Sequence, residues 1–266
     1  MSGRRAVRMA VLLVVAALLG MLWGCAGAGT DPATEPDTPA ASEGGEEPKP
    51  ASDKRMFTAD TLPTAVGTTW EIASYEGEVA ADITVAGPWT FEVGADWSRG
   101  EREIVDPSTV PGIERFSDVT FVTREVNEGA TYYYPRAVTD EWVQHLGKVE
   151  VTDAATTPEP LPKPSNFWPL GFEVGDEYLV QDEGTFRIEA TVLSVNTAST
   201  PAGEIEDTYL VRFVYTPQTE SAEGGTYYYM FAPDVGMVAL FHPVAGSEET
   251  GFSAIKSVSV ISRLPE

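Results

Sequence analysis

Short runs of alternating apolar and polar residues fill the sequence from about residue 56 onward, and this pattern limits the possible folds more than any other feature. Residues 70–75, 185–192 and 208–215 are clear examples. Alternation of this kind puts every second side chain on the same face of a β-strand. In the same region no apolar stripe with a period of 3.6 residues continues for ten residues, and Pro and Gly recur throughout. The sequence therefore predicts a mainly β fold with antiparallel strands.

The same motifs occur twice, in the same order, within this region. Four pairs of segments correspond: 66–70 with 174–178, 76–77 with 183–184, 110–114 with 200–206, and 129–134 with 224–229. The last pair matches Gly-Ala-Thr-Tyr-Tyr-Tyr to Gly-Gly-Thr-Tyr-Tyr-Tyr. A repeated order of motifs is the sequence sign of a duplicated structural unit. We therefore predict that the two copies superpose, with Trp70 on Tyr178 and Tyr133 on Tyr228.

Each copy is expected to form one antiparallel unit, either a curved sheet or a half-barrel meander. The first unit covers residues 56–157 and the second covers residues 165–266. Between them, residues 158–164 read Pro-Glu-Pro-Leu-Pro-Lys-Pro, and this proline content is typical of a stiff linker. The sequence thus predicts two related β units on either side of a short linker.

The tyrosine-rich strand of the second unit carries apolar or amphipathic side chains on both faces. Because successive side chains alternate, Tyr228 and Met230 share one face and Tyr227 and Tyr229 share the other. One interpretation is that both faces are core, since aromatic residues favour half-buried strands. The other is that one face lines a groove for an apolar ligand, with Tyr133, Tyr228 and Met230 as the candidate binding surface.

The N-terminus has the pattern of a secretory signal peptide, which we place at residues 1–24. Arg4, Arg5 and Arg8 precede an apolar run at 9–19. A basic segment followed by an apolar run of this length is typical of a signal peptide. The alternative, a single membrane-spanning helix, needs about 20 apolar residues, which is more than this run supplies.

The end of this segment resembles the lipobox of bacterial lipoproteins. Leu22, Gly24 and Cys25 match the motif, whereas Trp23 is larger than the residue usual at its position. The resemblance implies a diacylglyceryl thioether on Cys25, cleavage before this residue, and attachment to a membrane by the lipid. Cys25 is the only cysteine in the sequence. Ala26 stands where some lipoproteins carry the aspartate that retains them at the inner membrane, which points to the outer membrane in a cell that has two.

Residues 25–55 combine the lipidated cysteine with a segment rich in Pro, Glu, Thr and Gly, and no aromatic residue occurs between the cysteine and Phe57. Such a composition cannot bury enough apolar surface to fold, so we predict a disordered tether. Beyond it, the spacing of Val-Gly, Pro-Ala-Gly, Asp, Tyr and Pro-x-x-Gly in residues 174–236 is similar to a β-rich domain of exported bacterial lipoproteins. That resemblance implies no particular activity.

The net charge and the absence of several motifs argue against some classes of function. The chain has 41 acidic and 17 basic residues and a formal net charge of −24, which argues against nucleic acid as a partner. His145 and His242 are the only histidines, and the sequence has no His-x-His, Cys-x-x-Cys or Gly-x-Ser-x-Gly motif. We therefore predict no catalytic residues, no metal site, no cofactor and no enzymatic activity.

The sequence as a whole predicts a lipid-anchored, extracytoplasmic protein of the bacterial envelope. The first hypothesis for its role is a binding module for a partner protein or an apolar ligand. The alternatives are a passive structural lipoprotein without a ligand and, less favoured by the motifs, a hydrolase.

Overall fold

The computed structural model describes residues 55–127 and 129–265. The predicted signal peptide, Cys25 and nearly all of the predicted tether lie outside these residues. Within them, no helix combines the length and the apolar character needed to cross a membrane.

Fourteen strands form one sheet in the described part of the chain. The strands are β1 (Thr69–Tyr75), β2 (Val79–Ile83), β3 (Trp89–Thr90), β4 (Ser98–Val105), β5 (Phe121–Asn127), β6 (Ala130–Val138), β7 (Trp142–Thr152), β8 (Thr156–Pro169), β9 (Glu177–Glu183), β10 (Phe186–Thr200), β11 (Gly203–Pro217), β12 (Gly225–Ala232), β13 (Gly236–Ser247) and β14 (Gly251–Arg263). Short 3₁₀ helices occupy Ala59–Thr61, Pro107–Thr109 and Ile113–Arg115. The predicted mainly β fold is confirmed.

Twelve of the fourteen strands form two meanders of six strands, placed side by side. One runs β1-β4-β5-β6-β7-β8, the other runs β9-β10-β11-β12-β13-β14, and every pairing within them is antiparallel. Antiparallel pairing of β1 with β14 joins the two, with Ala73 opposite Val260. The two predicted units are therefore halves of one continuous sheet.

The repeated motifs occupy equivalent strands of the two meanders. Trp70 and Tyr178 lie in the first strands, β1 and β9, and Tyr133 and Tyr228 lie in the fourth strands, β6 and β12. Each central tyrosine also faces an arginine on the preceding strand, because Arg124 pairs with Tyr133 and Arg212 pairs with Tyr228. The duplication itself stays a prediction, and this strand order is consistent with it.

The predicted linker at 158–164 is instead the middle of strand β8, which pairs with β7. This strand is at one end of the sheet. Proline has no backbone N–H and cannot donate a hydrogen bond to a neighbouring strand. It is therefore tolerated in an edge strand, which has a neighbour on only one side. The paired positions jump from Gly147–Pro160 to His145–Ser165, so residues 161–164 bulge out of the ladder.

Two long connections of the first meander cover the outer face of the sheet. Residues 106–120 lie over the first meander, where Val110 is buried with Val105, Val122 and Val149. Residues 79–97 cross over to the second meander: β2 pairs with β14, and β3 pairs in parallel with β10. The core of the second half is therefore completed by residues of the first half, and the two units are not independent.

The segments that cover the outer face, residues 79–97 and 106–120, also determine how far the predicted binding residues are buried. Tyr228 is 2% exposed, and its ring lies 5.3 Å from that of Phe241 and 4.6 Å from that of Phe252. Met230 is fully buried, and Tyr133 is half-buried against the valine cluster under residues 106–120. The prediction that Tyr228 and Met230 form an open binding surface is wrong, because the cover makes their face part of the core.

Candidate functional site

The inner face of the sheet forms two adjoining cavities, both partly open to solvent. Tyr229 of β12, Ser259 of β14, Thr123 of β5 and Trp168 of β8 all line the smaller one. These strands are far apart in the order of the sheet, so their side chains can share a cavity only because the sheet curls around them.

The two ends of the sheet approach each other through side chains. Across the gap between β8 and β9, Ser165 Oγ donates a hydrogen bond of 3.2 Å to Gln181 Oε1. Beside it, the ring of Trp142 on β7 lies edge-on to that of Tyr178 on β9, at 5.7 Å between centroids. Strands β8 and β9 are thus not paired through their backbones, and side chains bridge the gap between them. We call this gap the seam.

The larger cavity has a volume of about 870 Å³ and lies along the seam. Aromatic side chains make up much of its wall: Phe167, Trp168, Phe186, Phe213, Tyr215, Tyr227 and Tyr229. Residues 161–166, which include the bulge of β8, form its other side. Charged residues at this cavity, Lys163, Asp182 and Glu223, have exposed side chains, so the interior is mainly apolar.

The smaller cavity has a volume of about 130 Å³ and shares Phe167, Trp168 and Tyr229 with the larger one. Residues 62–64, from the segment before β1, line it together with Gly236. This segment is held to the sheet because Asp234 N donates a hydrogen bond of 2.7 Å to Thr61 O. The start of the described chain thus contributes to the wall of the smaller cavity.

The tyrosine strand does line a cavity, but with the face opposite to the predicted one. Tyr227 and Tyr229 point inward, and each packs against an aromatic ring of β11. The ring of Tyr229 is 4.7 Å from that of Phe213, and the ring of Tyr227 is 5.2 Å from that of Tyr215. Sequence reasoning missed this face, although the alternating aromatic residues of 213–215 and 227–229 were a usable signal.

A β-bulge gives the site two further aromatic rings. Val143 pairs with Trp168 and Gln144 pairs with Asn166, so Phe167 has no partner on β7. The extra residue turns Phe167 and Trp168 to the same side of the sheet, where their rings stack with centroids 4.7 Å apart. Trp168 Nε1 is buried and has no hydrogen-bond partner among the described residues.

Buried Arg136 and half-buried His145 form a polar pair where the cavities adjoin. They are directly opposite on β6 and β7, and Arg136 Nη1 donates a hydrogen bond to His145 Nδ1. Arg136 is 5% exposed, and its guanidinium lies 4.4 Å from the ring centroid of Phe167. Burial lowers the pKa of Arg136 to about 10, so the side chain is still a cation at neutral pH. Arg136 lines the smaller cavity and His145 lines the larger one.

His145 is neutral at physiological pH. Burial, and then the charge of Arg136, lower the pKa of His145 to about 2. Its Nδ1 accepts from Arg136, so the neutral ring carries its proton on Nε2. For Nε2 the described residues supply no hydrogen-bond partner.

We expect His145 to make folding stability depend on pH. In the unfolded chain its pKa is about 6.5, so below that pH the unfolded state binds a proton that the native state does not. Stability is therefore lost as the pH falls, by up to about 1.4 kcal/mol per pH unit. Urea melts of wild type and His145→Gln between about pH 6 and pH 5 should show a smaller slope in the variant.

His242→Gln is the matched control for this measurement. Burial and Lys256 also lower the pKa of His242, but this ring is less buried and has no arginine bonded to it. Its removal should change the slope less than removal of His145. Parallel pH profiles for wild type and His145→Gln would contradict the prediction.

In residues 55–127 and 129–265 no group of three or more His, Cys, Asp or Glu side chains could hold a metal ion. His242 instead packs edge-on against Tyr227, with centroids 5.0 Å apart. The two histidines occupy the fifth strands of their meanders, β7 and β13.

These features define a class of protein: an antiparallel β protein whose curled sheet forms an aromatic cavity. No family model and no curated protein matches the chain. Among solved structures, the chain is similar to a crystal structure of "a putative lipoprotein" from Parabacteroides distasonis. The identity is 13%, the match covers 79% of this chain and 98% of the other, and the TM-score is 0.29. A likeness at this TM-score does not identify a function.

Proposed function

We propose that this protein is a lipid-anchored binding protein of the bacterial envelope that holds an apolar ligand in the larger cavity. The observation that carries the proposal is the cavity itself. Its volume of about 870 Å³ is within the range of about 300–1,000 Å³ that is usual for small-molecule sites. Its wall is mainly aromatic and its charged residues have exposed side chains.

The larger cavity is partly open to solvent, so its apolar wall is in contact with water when no ligand is bound. Each exposed square ångström of apolar wall that a ligand covers contributes about 25 cal/mol to binding. An apolar ligand would therefore stabilise the folded chain, which supports a binding role over a passive one.

The polar groups beside the cavity support binding rather than catalysis. Among the described residues His145 is the only histidine that lines either cavity. Its Nδ1 is engaged by Arg136, and its low pKa makes it a weak general base at neutral pH. We propose that the protein is not an enzyme and uses no cofactor.

The membrane attachment in this proposal rests on the N-terminal sequence. Lipid on Cys25 would fix the chain to the membrane, and two or more acyl chains are needed for stable attachment. The predicted tether between Cys25 and the described domain would reach about 30 Å as a flexible coil. The domain could then bind ligand away from the lipid headgroups, on the extracytoplasmic side.

Filling the cavity should abolish binding of a neutral apolar probe. Ile188 is half-buried and lines the larger cavity. We expect Ile188→Trp to weaken binding of N-phenyl-1-naphthylamine by about tenfold or more, a loss of about 1.4 kcal/mol, because the larger ring occupies ligand volume. Fluorescence titration of purified protein measures this, and native mass spectrometry of the same samples detects a co-purified ligand.

Leu179→Trp is the matched control, because Leu179 lies on the adjacent strand β9 and is 48% exposed. It should bind the probe as wild type does. If wild type binds no probe and carries no ligand, the passive structural role becomes the better proposal. Equal binding by wild type and Ile188→Trp would place the probe outside this cavity.

A further inference from the structure

Resting on the proposed function, we infer that the ligand is an amphiphile with an anionic oxygen-bearing head group, and that Arg136 binds this head group where the two cavities adjoin. The apolar chain then extends into the larger cavity, along the aromatic wall.

The first support is the charge balance around Arg136. The charged residues that line the smaller cavity are Arg102, Arg136, Glu76 and Glu125. Glu125 is bound by Arg102 at 2.5 Å, and among the described residues no carboxylate lies within ion-pair distance of Arg136. Burying a cation without a paired anion is costly. An anionic ligand atom would supply the missing partner.

The remaining acid does not fill this role. Glu76 accepts a hydrogen bond of 3.0 Å from Ser257 Oγ, and burial raises the pKa of Glu76. Arg136 is not among the groups that perturb Glu76. Of the two arginines that line the smaller cavity, Arg102 is bound to Glu125, whereas Arg136 makes no ion pair with a described carboxylate. Arg136 interacts with Glu125 only through the longer-range attraction between their charges.

The second support is an unpaired hydrogen-bond donor at the junction. Trp168 Nε1 is buried and has no acceptor among the described residues. Trp168 lines both cavities and His145 lines the larger one. Buried donors are normally satisfied, so a site with an unpaired donor and a cation is matched by a ligand with acceptor oxygens. A carboxylate and a phosphate share this chemistry.

The third support is how Arg136 is held. Its guanidinium stacks on Phe167, and Phe167 in turn stacks on Trp168. His145 fixes Nη1 from the neighbouring strand. An arginine whose plane is already ordered loses little entropy when it binds a carboxylate or phosphate through its remaining donors.

The test uses four probes with the same dodecyl chain on the purified wild-type protein: dodecanoate, dodecyl phosphate, dodecanol and dodecyltrimethylammonium. Isothermal titration near neutral pH gives the dissociation constants. We expect dodecanoate, dodecyl phosphate or both to bind about 10- to 100-fold more tightly than dodecanol, which is the size of a charge-assisted hydrogen bond. The relative affinities of the two anions show which head group fits. Dodecyltrimethylammonium should bind most weakly.

Arg136→Met should remove the preference for the anion while affinity for dodecanol stays within about threefold of wild type. Because an unpaired buried charge is lost, the melting temperature of the empty variant should not fall. Arg136→Lys should keep part of the preference. Arg124→Met is the matched control, since Arg124 lies on the neighbouring strand, pairs with Glu103 at 2.9 Å, and shares the outer face with Tyr133. It should bind all four probes as wild type does.

Equal affinity of wild type for dodecanoate, dodecyl phosphate and dodecanol would overturn the inference and leave the cavity as a site for neutral ligands. An anion preference that survives in Arg136→Met would also overturn it. Binding of none of the four probes would instead count against the proposed function. The comparison of probes on wild type needs no variant, so it decides the matter even if Arg136→Met does not fold.

Discussion

Tyr228→Ala should lower the free energy of unfolding by about 3–5 kcal/mol, the range found when a large buried aromatic side chain is truncated. Tyr228 is 2% exposed and packs between Phe241 and Phe252 under the cover formed by residues 79–97. Its hydroxyl also donates a hydrogen bond of 2.8 Å to Glu248. Urea melts with an unchanged m-value would measure the loss.

Two variants separate the parts of this effect. Tyr228→Phe removes only the hydroxyl and should cost about 0.5–1.5 kcal/mol. Tyr133→Ala changes the equivalent position of the first meander, where the side chain is half-buried, and should cost about 1–2 kcal/mol. A loss below about 1 kcal/mol for Tyr228→Ala, the size of an ordinary surface or boundary change, would contradict its place in the core.

Cys25→Ser should abolish lipid attachment completely, because no thioether can form without the thiol. We expect the variant to accumulate as an uncleaved precursor or as protein released from the membrane. Metabolic labelling of the cells with an alkyne fatty-acid analogue, followed by fractionation, measures both outcomes. Ala28→Ser is the matched control within the predicted tether and should be labelled as wild type is.

Equal labelling of Cys25→Ser and wild type would contradict the lipoprotein interpretation of the N-terminus. The binding proposal would survive this result, because it depends on the cavity and not on the anchor. The two largest predicted effects thus examine separate parts of the molecule: the outer core of the sheet and the attachment of the chain.

The sequence was sufficient for the mainly β character and for strands such as β10 and β11, but not for the faces of the strands. Alternation in the tyrosine strand correctly separates Tyr228 from Tyr227 and Tyr229. It does not say which set faces inward, because both faces are apolar or amphipathic. That choice depends on residues 79–97, which leave the first meander and cover the second through pairing of β2 with β14 and β3 with β10. These strands are far apart in the sequence, so their pairing produces no local pattern of residues from which it could be predicted.

The side chains of the candidate site could not be predicted from the sequence for a similar reason. Arg136 and His145 meet because the register of β6 and β7 places them opposite each other across an irregular stretch of the ladder. Phe167 and Trp168 point to the same side only because of a bulge. A shift of one residue in either register would reverse the direction of these side chains, and the sequence carries no signal that sets it.

The sequence by itself determined the strand-rich character of this protein, the order of its repeated motifs and the acidic charge, and it predicts an exported, lipidated N-terminus. These follow from the period of apolar residues, composition and short motifs, which are local properties of a chain. Only the tertiary structure decided that 158–164 is an edge strand, that the two halves share one sheet, and that its inner face forms an aromatic cavity with a buried arginine. Those properties arise from the curl of the sheet and from pairing between strands that are distant in the sequence. Whether a face of a strand is buried depends on the segments that cover it, and not only on the residues of that face.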